Sequence, residues 1–109
     1  MRNARDVAWV ALFEIFQEVR PKKLIPEKDW QALSFLIEAL REEKHLDDWA
    51  ETHRIFDSIN GNHKISTFAA WRKLYDALDK LWQNERGNNA TQQELAAHAG
   101  AFTRFRLFS

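Results

Sequence analysis

The sequence predicts an all-α fold: a compact bundle of four main helices plus a short fifth helix and an aromatic C-terminal tail. Apolar residues recur at spacings of three and four through most of the chain. Breaks rich in Pro, Gly and Asn separate these stretches. At the one hairpin-like turn, Asn60-Gly61, each flank is too short for a stable strand.

The first helix is expected over residues 4 to 20. Val7, Val10, Ala11, Phe13, Ile15, Phe16 and Val19 form its stripe, and Ala8, Trp9 and Leu12 widen it nearly all round. A helix apolar on most faces belongs at the centre of a bundle. Pro21 stops it, because proline lacks an N–H and disfavours helical geometry in the residue before it. After the linker Lys22 to Ile25, Pro26 suits a first helical position, and Glu27 and Asp29 fall in the first turn, where the dipole favours anions. This second helix runs to about Lys44 on a stripe of Trp30, Leu33, Leu36, Ile37 and Leu40, with a solvated end from Arg41 to Lys44.

Asp47 or Asp48 can cap a third helix bearing Trp49, Ala50, His53, Phe56 and Ile59. Asn60-Gly61 then either ends that helix or turns a small hairpin between Ser58-Ile59 and Lys64-Ile65, and the short flanks favour the helix end. Ser66 or Thr67 caps the most regular helix, with Phe68, Trp71, Leu74, Tyr75, Leu78, Leu81 and Trp82 along one side. Arg72, Asp76 and Lys80 form a charge ladder on the other, placed in water. Asn84 to Ala90 is a polar break. Thr91 and Glu94 have capping-box spacing and open the short fifth helix, which Gly100 closes. Residues 1–86 thus form the bundle core, with residues 87–109 packed on the same single domain.

Composition narrows the function classes. Five Trp and eight Phe in 109 residues are a large aromatic content, and aromatics dominate cores and interfaces. The net charge is zero, which gives no bulk attraction to nucleic acid or anionic membrane. The absence of Cys excludes disulfides, thiolate metal sites and thiol nucleophiles. Arg2 and Arg5 precede an apolar run, Val7 to Phe13, but Asp6 and Glu14 bracket it and it falls far short of the ~20 residues of a membrane span. A soluble chain follows, with the cytoplasm as its default location.

Candidate chemistry does not assemble. His45, His53, His63 and His98 share no helical spacing with one another, and His53 with Asp57 makes only two ligands of a metal site. The expectation for His53 is a core-edge imidazole bonded by Asp57 or the backbone. Asp57 to Asn62 resembles a calcium loop only faintly. Aligned on Gly61, it places Phe56 at the first carboxylate and Thr67 at the bidentate Glu. No nucleophile elbow or Gly-rich phosphate loop is present. No metal, no cofactor and no enzyme activity are expected.

Residues Thr91-Gln92-Gln93-Glu94-Leu95-Ala96-Ala97-His98-Ala99-Gly100 carry the sharpest local likeness. Leu95, Ala96, Ala99 and Gly100 resemble the first helix and turn of a helix-turn-helix DNA-binding motif. That resemblance implies a turn at Gly100 and a recognition helix after it. The following residues depart from the family pattern, with Phe102 at the turn and Arg106 at an inward position, and Ser109 is reached before a recognition helix is complete. A capped, Ala-rich surface helix accounts for the same residues.

The expected function is a small protein-binding module, such as a regulator, adaptor or inhibitor, acting through an aromatic surface. In size alone it is similar to the small helical inhibitors of mobile genetic elements, such as anti-CRISPR proteins. The candidate partner-binding residues are Trp9, Phe35, Phe102, Arg104, Phe105, Arg106 and Phe108. Trp9 belongs to a helix with surplus apolar surface, and Phe35 lies off its helix's stripe. The tail offers aromatics and two arginines, which either dock on the helical body, the first expectation, or meet a partner. A DNA-binding regulator using residues 91–109 is the alternative, with Arg104 and Arg106 as a small electrostatic footprint. A homodimer would also consume exposed aromatics.

Overall fold

The computed structural model describes residues 4–18, 27–42, 46–59 and 68–107. Five α-helices follow in order: α1 (Ala4–Gln17), α2 (Glu27–Glu42), α3 (Leu46–Ile59), α4 (Phe68–Arg86) and α5 (Gln92–Leu107), with one 3-10 turn at Gly87–Asn89. No strand occurs among the described residues, and the all-α class holds. The Pro21 stop, the Pro26 start, the Lys44 end, the Asn60-Gly61 turn, the Ser66 and Thr67 caps and Phe108 lie outside them.

The aromatic spacing of α1 puts it at the centre. Trp9, Leu12, Phe13 and Phe16 are all buried. Each ring meets a different neighbour: Trp9 lies 6.1 Å from Trp49 of α3, Phe13 lies 5.4 Å from Trp82 of α4, and Phe16 lies 5.6 Å from Phe105 of α5. Across the other half, Trp30 of α2 stacks on Phe56 of α3 at 4.8 Å and meets Trp71 of α4 edge-on. All five Trp are buried, so the aromatic surplus is core and none of the indoles stands out as an interface anchor.

One helix start and one helix face differ from expectation. Asp47 and Asp48 lie inside the first turn of α3, which begins at Leu46, and a cap must precede its helix. The charge ladder of α4 is only partly in water: Lys80 is exposed, but Arg72 and Asp76 are half-buried.

The largest correction concerns α5. Gly100 does not close it, and the helix continues to Leu107, as long as α2. A glycine ends a helix by taking a left-handed conformation, which Gly87 does with φ 50° and Gly100 does not. Gly100 serves close approach instead. A Cβ there would lie 2.7 Å from the Gln17 side-chain amide, and that amide donates to the Ala97 carbonyl at 3.0 Å. Arg104 Nε donates to the Gln17 carbonyl at 3.2 Å. Ala97, Gly100 and Ala101 thus make a small-residue seam that lets α1 and α5 pack closely. The seam carries Phe105 into the core, where burying such a ring is worth about 1.5–3 kcal/mol.

Candidate interaction surface

Polar groups at one end of the bundle are the first place to look for chemistry. Arg5 of α1 donates to Glu85 of α4 through Nε at 2.8 Å and through Nη2, and Trp9 Nε1 adds a third bond to Glu85 at 2.9 Å. Beside it, Arg86 joins Asp6 to Glu94, reaching Glu94 through Nε at 2.9 Å and Nη2 at 3.2 Å. The capping box is formed as its spacing implies: Glu94 N–H donates to Thr91 Oγ1 at 3.1 Å, and Thr91 N–H donates to Glu94 Oε2 at 2.8 Å. Trp82 Nε1 completes the set at 3.2 Å.

Glu94 is fully buried and accepts four bonds, the whole lone-pair capacity of a carboxylate. It has no oxygen left to take a proton from a substrate. The cluster therefore clasps α1, α4 and α5 together, and its geometry is that of a structural network.

The histidines lead to the same result. His98 Nε2 meets Asp79 at 2.6 Å, and its ring stacks on Trp82 at 4.3 Å. Phe13 and Phe102 close on it at 5.2 Å and 5.9 Å. His53 is held at 3.2 Å by Asp57, the core-edge pairing its spacing implies, and at 3.5 Å by Glu38 of α2. Among the described residues no group of three or more His, Cys, Asp or Glu could hold a metal ion.

The expected partner-binding residues separate into three sets. Trp9 and Phe105 are wholly buried and present nothing to a partner. Trp9 fills the centre because α1 is surrounded, and Phe105 docks because the helix does not turn at Gly100. Arg104 is half-buried and tied to Gln17. Phe102, 42% exposed, lies beside His98 on the outer side of α5. Phe108 and the side chain of Arg106 lie outside the description. Among the described side chains of the set, Phe35 alone stands well out, at 74% exposure.

One exposed Phe is ordinary on a protein surface; its surroundings decide whether it matters. Phe35 overhangs a groove of about 560 Å³ between α1 and α2. Ala11 and Ile15 of α1 and Ala32 and Leu36 of α2 line it, with Glu14, Glu18 and Asp29 as its acidic groups. Val7, one turn before Ala11, is also exposed and extends the apolar stripe. Arg5 at the start of α1 donates to the Leu40 carbonyl near the end of α2 at 3.0 Å, so the two helices run antiparallel along the groove.

The α3/α4 side carries grooves of about 430 and 650 Å³, but their linings mix Lys73, Lys80 and Arg54 with Glu51, Asp76 and Glu85. A groove of about 510 Å³ between α1 and α5 shares Glu14 and Glu18 but has no aromatic, so among the described residues the α1/α2 groove alone combines a protruding aromatic, an apolar floor and charge of one sign.

Sequence reasoning found Phe35 from its off-stripe position and missed the groove around it. Ala32, a turn before Phe35, and the Ala11–Ile15 spacing on α1 were the available signals. No helix is long and apolar enough to cross a membrane among the described residues. No family model, curated protein or solved structure matches the chain.

Proposed function

We propose that this chain is a small non-enzymatic protein-binding module whose contact surface is the α1/α2 face centred on Phe35. The observation that carries this reading is the placement of a 74% exposed Phe over an apolar groove, in a chain whose other fully described large aromatics are mostly packed inside. An exposed aromatic costs solubility, and a groove beside it gives a partner's side chains somewhere to go. Roles as a regulator, adaptor or inhibitor are all served by such a surface, with the cytoplasm as the default location.

The nucleic-acid alternative draws less support. A helix-turn-helix requires a turn near Gly100, and residues 92–107 form one continuous helix. Of the two tail arginines, Arg104 is engaged with Gln17.

A photo-crosslinking amino acid at position 35 tests the proposal in the cells that make the protein, with position 102 as the comparison. The expected result is a discrete adduct from position 35 and a weaker or absent one from position 102. Adducts from position 102 alone, or from neither, would overturn it.

A further inference from the structure

Glu14 and Glu18 sit one turn apart on α1, a spacing at which like charges repel. Asp29 adds a third carboxylate to the same groove, and among the described residues no Lys or Arg lines it. Asp6, Glu85 and Glu94, at the clasp, each have an arginine; Glu14, Glu18 and Asp29 have no ion pair among the described residues.

We infer that the occupant of the α1/α2 face is a basic amphipathic helix of a partner protein, an inference that rests on that face being the interaction surface. Two antiparallel helices present a trough lined on α1 from Ala11 to Glu18, with exposed Val7 one turn beyond. At 1.5 Å per residue Val7 to Glu18 covers about 17 Å, or three turns of a third helix laid into the trough. Apolar anchors one turn apart would meet Phe35 beside Ala11 at one level and Ile15 at the next, while Lys or Arg on the flanks would meet Glu14, Glu18 and Asp29.

Charge also selects against the competing occupants. A second copy joined by a two-fold axis would bring the same carboxylates toward one another. Nucleic acid and anionic lipid would set phosphates against them. A cationic helix is the one partner class for which the rim and the floor both contribute.

Three fluorescein-labelled peptides of about three turns test this against the full chain by anisotropy. One carries a Leu stripe flanked by Lys and Arg, the second the same stripe flanked by Glu, and the third the basic composition with the Leu positions scrambled. The first should bind about tenfold or more tighter than either other peptide, and its affinity should fall with added salt. Phe35→Ser should weaken it by about tenfold. Combining Glu14→Gln, Glu18→Gln and Asp29→Asn should bring the basic and acidic peptides to within about threefold of each other.

Equal binding of the acidic or the scrambled peptide overturns the inference. If none of the three binds wild type while position 35 still crosslinks, the basic helix is the wrong occupant and the face stands. If Phe35→Ser leaves the basic peptide's binding unchanged and position 35 gives no adduct, the face itself fails. Sedimentation of the wild type and Phe35→Ser settles self-pairing: a dimer lost on substitution would make a second copy the occupant.

Discussion

The two flanks of α1 differ more than any other pair of regions in the molecule. Toward α5, small residues bring the backbones close, Phe105 fills the core, and Arg86 neutralises Asp6 and Glu94. Toward α2, Ala11 and Ile15 meet Ala32 and Leu36 across a groove, Phe35 stands in water, and three carboxylates have no cationic partner among the described residues. The α5 side is closed along Ala97, Gly100 and Ala101, with a groove of about 510 Å³ beside Gln17 and Gln93, whereas the α2 side leaves a large aromatic in water. A flank with its charges paired serves stability, whereas one with apolar surface and unpaired charge of one sign is organised for something outside the chain.

That contrast is best broken at the closed flank. Arg86→Ala strands the fully buried Glu94 carboxylate and Asp6, and should cost about 3–5 kcal/mol in urea unfolding. A loss below about 1 kcal/mol would mean that water replaces the guanidinium and the clasp is dispensable. Phe105→Ala should cost a similar 3–5 kcal/mol or so by opening a cavity between α1, α4 and α5.

Thr91→Ala removes one half of the capping box and should cost about 1 kcal/mol, seen as a lowered urea midpoint with an unchanged slope. At the open flank the effect should be smallest. Phe35→Ser should leave the unfolding free energy within about 0.5 kcal/mol of wild type. A much larger loss would show that Phe35 is a structural residue and erase the difference between the flanks.

Much of the fold was legible because its signals are local. Three- and four-residue spacing marked the helices, the all-round apolar pattern of α1 placed it at the centre, and Thr91 with Glu94 announced a cap that is formed. Gly100 misled because a glycine's role depends on what approaches it. Gln17 is 83 positions away in sequence, and its amide lies where a Cβ would go. The clasp escaped notice for the same reason: Arg5 and Glu85 are 80 positions apart, as are Asp6 and Arg86. Phe35 was visible as an off-stripe residue, but the groove exists only once two helices pair. Trp9 was misplaced on the surface because surplus apolar area on a helix reads alike whether solvent or more protein surrounds it.

Amide chemical-shift mapping of the full chain with the basic amphipathic peptide tests the central claim most directly. Perturbations should concentrate at Val7, Ala11, Glu14, Ile15 and Glu18 of α1 and at Asp29, Ala32, Phe35 and Leu36 of α2, with the outer face of α5 unmoved. Perturbations centred on Leu95 and Phe102, or along the α3/α4 grooves, would contradict it.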